Sequence, residues 1–316
     1  MKYRPDRVPE DFPVAEMFGY PPNSATPEAE QARLSKACPF KGGECTKLKS
    51  AAATPICSLR YKAAGFETET VWATCANRLA NELEAVIPLE FSGRENEARL
   101  VREVKISDPP MSFDGVAIIV SEDGTAEFAG VEAQAIDTRG GAVKPLWSAY
   151  EDGAADLWKD GYGGKRPLFG VNSANVWKRL LPQIINKGRM YADWETRLYV
   201  IVQETLMQFI RRRMHLHELS RQERQKAEVV WLPWDYTGNE LASGQLETDI
   251  GQPIFTTLSA VEDAFTTVAS AQRPIFVKKV LAKLGRDDKA VVRAKEKLQK
   301  EALEKTDLSG EESDKE

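Results

Sequence analysis

Two apolar runs, SFDGVAIIV (112–120) and AEFAGVEAQAI (126–136), each carry polar residues at positions where chemistry could sit. Asp114 lies in the first, Glu132 and Gln134 in the second. Side chains alternate along a strand, so Glu132 and Gln134 share one face and Val131, Ala133 and Ala135 the other. The runs are joined by SEDGT, whose Asp123-Gly124 pair is a strong hairpin signal. That turn falls near the midpoint between Asp114 and Glu132, so a hairpin centred on it brings the two carboxylates opposite each other. Two carboxylates converging from paired strands make a hard oxygen site suited to Mg²⁺. Such an ion activates water and stabilises charge on a phosphorus under attack. A neighbouring glutamine orients a water by hydrogen bonding. By spacing alone the same residues also read as a solvated strand face with a turn aspartate, because D…E-x-Q is a loose pattern.

A second cluster lies upstream. Cys38, Cys45, Cys57 and Cys75 are all the cysteines of the chain. In a cytoplasmic protein disulfides are rare, so clustered thiols favour a Cys₄ metal site holding zinc or iron. The spacing lacks C-x₂-C knuckles, and four small buried hydrophobes are the competing reading.

The elements that must position these residues are mixed. Residues 1–30 are rich in Pro, Asp, Glu and Asn and read as an extended arm with little regular structure. ANRLANELEAVI (76–87) and GRENEARLVREVKI (93–106) have helical spacing. After the hairpin, residues 138–172 read as a Gly-, Asp- and Pro-rich loop. SANVWKRLLPQIINKG then reads as a helix with Ser173 as N-cap and Gly188 as its stop. RLYVIVQ (197–203) is a buried strand, ETLMQFIRRRM a helix, AEVVWLPW a strand and 257–270 a helix. From Gly285 onward the chain is nearly all charged and reads as an exposed helix giving way to a disordered end. The expected class is α/β.

The net charge of −5 would argue against a nucleic-acid partner were it spread over the chain. It resides wholly in the last sixteen residues, EALEKTDLSGEESDKE, so local basic patches stay available. Candidate phosphate contacts are Arg211, Arg212 and Arg213, in a basic segment that also holds His215 and His217 and reads equally as a solvated helix end. Arg139, just after the second run, is a candidate to read a base edge or an ordinary loop residue. Lys144 is a distant candidate for a cation near the carboxylates. No run of about 18 apolar residues exists and the start is polar and proline-broken, so neither a membrane span nor a signal peptide is expected and the location is cytoplasmic.

CPF at 38–40 and CANR at 75–78, with two cysteines between, follow PVAEMFGY (13–20) and precede SFDG (112–115), GVEAQ (130–134) and NSANVWKR (172–179). In that order, across residues 13–270, these motifs resemble the NotI-type restriction endonucleases. The resemblance implies a PD-(D/E)xK nuclease core, a mixed central sheet flanked by helices, with an N-terminal Cys₄ region. Its parts would be the arm and Cys₄ region (1–76), the catalytic domain (77–284) and the charged helix with acidic tail (285–316). Asp114 and Glu132 would bind catalytic Mg²⁺, and Gln134, standing where the general pattern has lysine, would position the water. Cys38, Cys45, Cys57 and Cys75 would hold a structural iron, with zinc the alternative. The implied protein is a homodimer that hydrolyses double-stranded DNA to 5′-phosphate ends. The rivals are a DNA-binding protein of the same fold that does not cleave, and an unrelated Cys₄ interaction module.

Overall fold

In the computed structural model, the described residues are 5–49, 54–63, 66–108, 110–139, 143–160, 170–172, 176–213, 216–266 and 273–283. A seven-stranded mixed sheet organises them. Its hairpin is β5 (Pro110–Val120) and β6 (Ala126–Gln134), antiparallel in the register Gly115–Val131 to Val120–Ala126. The turn forms as expected: Gly124 takes φ +85°, and Asp123 Oδ1 accepts from the Thr125 N–H at 2.9 Å. β4 (Arg99–Ser107) pairs antiparallel with the outer side of β5.

On the other side of β6 lies β9 (Leu198–Gln203), parallel to it and to β10 (Val229–Glu240). A strand between two parallel neighbours is covered on both faces, which is why LYVIVQ is apolar throughout; all six residues are buried. β11 (Leu246–Ile250) and β12 (Ile254–Thr256) complete the sheet by antiparallel pairing with β10.

Helices cover both faces. Leu181, Ile184 and Tyr191 of α4 (Leu181–Asp193), Met207 and Ile210 of α5 (Glu204–Arg213) and Val261 of α6 (Leu258–Thr266) pack with Val200, Val202, Val229 and Trp231. On the opposite face Leu79, Leu83 and Val86, the last opening α2 (Val86–Glu90), pack with Val131, Tyr199, Ile201 and Val230. A separate three-stranded sheet joins β1 (Val14–Met17), β2 (Ile56–Tyr61) and β3 (Thr70–Ala73). Its core includes α1 (Pro27–Ser35) and α3 (Val143–Glu151) through Ala29, Ala32, Leu146, Trp147 and Tyr150.

Contacts divide the chain into two units, residues 1–266 and 267–316, and the described part of the second is helix α7 (Arg273–Lys283). Among the described residues no helix is long and apolar enough to cross a membrane.

Several elements differ from their sequence reading. The segment expected as a helix over 93–106 contains strand β4 instead. Val101, Val104 and Ile106 are β-branched, and an open edge of β5 supplies backbone partners that an isolated helix of this length would not outweigh. The arm expected to lack structure contains β1, whose four residues are all buried, and the start of α1, capped by Thr26 accepting from the Ala29 N–H at 3.3 Å. The 138–172 loop contains α3, held by its buried aromatic pair Trp147 and Tyr150, and a two-residue pairing of β7 (Thr138–Arg139) with β8 (Gly170–Val171). The 76–87 helix breaks into two 3₁₀ turns before α2.

Gly188 does not stop α4. It lies inside the helix where a Cβ would meet Leu258 Cδ1 at 2.8 Å, so its service is close approach to α6. Ser173 and everything from residue 284 onward lie outside the described residues.

Candidate active site

The hairpin brings Asp114 and Glu132 together, as the turn position required. Regular pairing of β5 with β6 runs as far as Gly115–Val131. At Asp114 the alternation of β5 breaks: Phe113 and Val116, three residues apart, both pack on the same core cluster. Opposite, Glu103 of β4 takes φ +54°, a left-handed conformation rare for glutamate. The break frees the exposed Asp114 carboxylate to turn across, and its Oδ2 accepts from the Ala133 N–H at 2.9 Å.

Glu132 sits deeper. It is 5% exposed, midway in the sheet with Val200 of β9 as its neighbour. Its Oε2 lies 2.5 Å from Lys187 Nζ, while its Oε1 is buried with no hydrogen-bond partner. Burial first, then the nearby Asp114 charge, push the Glu132 carboxyl up to about 7 against the pull of Lys187. Gln134 shares the Glu132 face by alternation and is half-buried, its amide nitrogen donating to the Ala135 carbonyl.

Lys187 is the residue that the sequence reading missed. It arrives on α4 by a matched pair of spacings. Gly130 and Glu132 are two apart on one strand face, and Tyr191 and Lys187 are four apart on one helix face. The Tyr191 ring lies directly over Gly130, where a Cβ would be 2.2 Å from Tyr191 Cζ. The missing side chain lets α4 settle on β6, and one turn earlier that places Lys187 on Glu132. Lys187 is 8% exposed, and its Nζ lies 5.3 Å from the centre of the Phe113 ring. A signal was present: in LLPQIINKGRMYAD a lysine falls within the apolar stripe of Leu181, Ile184 and Tyr191.

The other basic candidates are dispersed. Arg211 pairs with Glu218, its Nη2 2.9 Å from Oε1. Arg212 and Arg213 end α5 and Arg139 lies in β7, with their side chains outside the described residues. Lys144 is in the first turn of α3, so the cation at Glu132 comes from α4 instead. His217 is exposed and His215 lies outside the described residues.

The four cysteines gather in one buried cluster, each between 5% and 7% exposed, with none in a disulfide. Cys38 and Cys45 flank a turn through Gly42 and Gly43, both with positive φ, closed by the Cys38 N–H donating to the Gly43 carbonyl at 2.8 Å. Cys57 is on β2, and Cys75 follows β3, where the Thr74 N–H donates to the Cys57 carbonyl at 2.9 Å. Burial pushes the Cys45 and Cys57 thiols up; Cys38 and Cys75 add to it at Cys45, and Glu16 and then Cys75 add to it at Cys57. As the side chains stand, no three His, Cys, Asp or Glu among the described residues form a metal-holding group. The donors suit a thiophilic ion in kind, and their convergence on one point is not seen.

Two further motif residues have a structural role. Glu16, fully buried on β1, accepts from Arg78 Nε at 3.0 Å, from Ser58 Oγ at 2.8 Å and from the Tyr236 hydroxyl at 2.9 Å. Arg78 also donates to the Leu246 carbonyl at 2.9 Å. This network ties the cysteine region to β10 and β11. Burial pushes the Glu16 carboxyl up although Arg78 opposes it.

At the carboxylate site a cation fits. The unpartnered Glu132 Oε1 needs a positive or donating neighbour, and the repulsion between Asp114 and Glu132 is relieved by added positive charge. Two carboxylates match what Mg²⁺ takes from protein, since it keeps several waters. In comparisons with known proteins, no family model matches the chain and no curated protein is significantly similar to it.

Proposed function

We propose that this chain is a Mg²⁺-dependent endonuclease of the type II restriction kind, acting as a homodimer on double-stranded DNA. The observation that carries the reading is the juxtaposition of Asp114 and Glu132 across the hairpin, with Glu132 Oε1 buried and unpartnered. The mixed sheet flanked by helices and the resemblance of the ordered motifs support it. Asp114 and Glu132 would hold the ion, whose contribution when bound is Lewis-acid polarisation of a phosphodiester oxygen. The chain itself does the rest. The Ala133 N–H orients Asp114, the β6–β9 pairing fixes the depth of Glu132, and Gln134 on the same face hydrogen-bonds the attacking water. Arg139, Arg211, Arg212 and Arg213 are the proposed phosphate contacts. Cys38, Cys45, Cys57 and Cys75 would hold a structural iron or zinc ion. Two copies related by a two-fold axis would present one site to each strand of a palindrome.

A second reading has one observation in its favour. Lys187 already neutralises Glu132, and the Gln134 amide is engaged with Ala135, a state suited to binding DNA without cutting it. Incubating purified protein with phage and plasmid DNA, in Mg²⁺ or in EDTA, separates the two. Discrete Mg²⁺-dependent fragments, absent with the exposed-site variant Asp114→Asn, are expected. DNA retarded in a gel but uncut would replace the nuclease by the binding protein. Neither cutting nor retardation would leave the cysteine-rich interaction module.

A further inference from the structure

We propose that Lys187 is the fixed cation of this site, holding Glu132 in the metal-free protein and facing the scissile phosphate once a divalent ion takes that carboxylate. The inference rests on the nuclease reading for the identity of the phosphate, while the competition between lysine and ion for Glu132 stands on geometry alone.

Packing does not account for Lys187. Its helix face is otherwise apolar, and a buried lysine–glutamate pair contributes little net stability beside apolar residues of the same volume. Its place is nonetheless closely set, with Tyr191 seated over Gly130 and Gly188 against Leu258, so α4 is held from two sides. Only one Glu132 oxygen is engaged. Asp114, the exposed carboxylate, and Glu132 Oε1, buried without a hydrogen-bond partner, would hold the ion together, and sharing Glu132 with it would weaken the hold of that carboxylate on Lys187. The lysine need not travel far, because its ammonium already lies at the carboxylate and over the Phe113 ring.

Charge fits the same sequence of events. With Asp114 and Glu132 both ionised beside the Lys187 ammonium, the metal-free site carries one net negative charge, which attracts a divalent ion. With that ion the site carries one net positive charge, suited to a phosphodiester that gains negative charge under attack. In the hydrolysis the water oxygen bonds to phosphorus and gives its proton to solvent. The P–O3′ bond breaks with its electron pair going to O3′, which takes a proton from water. Lys187 makes and breaks no bond and carries no proton in this scheme.

The test compares the full chain with Lys187→Met and Lys187→Gln. Free Mn²⁺ is counted by electron paramagnetic resonance in a titration without DNA. Removing the competing cation should tighten Mn²⁺ binding by about tenfold. Single-turnover cleavage at saturating Mg²⁺ should fall by about a hundredfold or more in the same variants. Unchanged or weaker Mn²⁺ binding would overturn the proposal, as would cleavage that survives at saturating ion. Failure of both variants to fold, read from their circular dichroism, would also overturn it by making the pair structural. If the unaltered chain cuts no DNA, the nuclease reading fails on its own, and the Mn²⁺ titration still decides whether Lys187 guards Glu132.

Discussion

Replacing Gly130 with alanine puts a methyl group 2.2 Å from Tyr191 Cζ, 2.4 Å from its Cε2 and 2.5 Å from its hydroxyl oxygen. Ordinary carbon contacts begin near about 3.5 Å, so the ring must retreat by roughly 1 Å. It has little freedom to do so. Phe113, Phe128 and Trp194 surround it edge-on, with ring centres 5.6, 6.3 and 5.5 Å away. The strain therefore passes to α4, which lifts from β6 and draws Lys187 off Glu132. Overpacking of a buried contact costs about 1–3 kcal/mol, and a clash with a caged ring belongs at the upper end. Urea unfolding should show a lower midpoint with an unchanged slope. Gly251→Ala is the control, since its Cβ would meet the Pro233 carbonyl at an ordinary 3.4 Å, and its cost should stay within about 0.5 kcal/mol. Tyr191→Ala alone should cost about 3–5 kcal/mol through the cavity it leaves. In Gly130→Ala/Tyr191→Ala the new methyl enters that space, so the double variant should be more stable than the sum of the singles by about 1 kcal/mol or more. A Gly130→Ala protein that unfolds like the parent, or strict additivity in the cycle, would refute the seating of α4 on β6.

Three other outcomes are expected. The Glu132 carboxyl lies near 7 in the folded chain against 4.5 for an ordinary one, so folding favours its protonated form; in EDTA that stability is fully present below 4.5 and is lost as pH rises through 7, by at most about 3 kcal/mol. Urea midpoints between pH 5 and pH 8 should follow this slope in the parent and flatten in Glu132→Gln, and an equal slope in both would count against the burial of Glu132. Glu16→Ala leaves Arg78 buried without its carboxylate and should lower stability by about 3–5 kcal/mol, against about 1 kcal/mol for Ser58→Ala, by the same denaturation assay. The four cysteine thiols should react with an aromatic disulfide reagent only after denaturant is added, and fast reaction in the native protein would contradict their placement.

What the sequence made legible was local. The β5–β6 hairpin could be read because its turn, its alternation and both carboxylates lie within one short segment. β9 could be read because burial on both faces leaves an unbroken apolar run. β4 was misread because RLVREVKI satisfies helical and extended spacing at once, and only the free edge of β5 decides between them. β1 was hidden by its brevity. The burial of Lys187 left a trace in the apolar stripe of its helix, but its partner did not: Glu132 lies on another element, and nothing in LLPQIINKG says which strand the helix will cover. The Glu16–Arg78 pair is the same case, since the carboxylate and guanidinium meet only after the cysteine region has folded between them.

The parallel pairing of β6 with β9 has a consequence for the order in which the site is assembled. The hairpin that carries Asp114 and Glu132 closes over a five-residue connection, 121–125, and belongs to the fast, local events of folding. Lys187 instead travels on the long crossover, residues 135–197, which must close before β9 can dock beside β6. Closing such a loop carries its entropic cost before any contact rewards it. A chain still emerging from the ribosome therefore holds the two carboxylates before Lys187 is beside them. The charge balance of the site is completed late, when the crossover is shut and the sheet has its central strand.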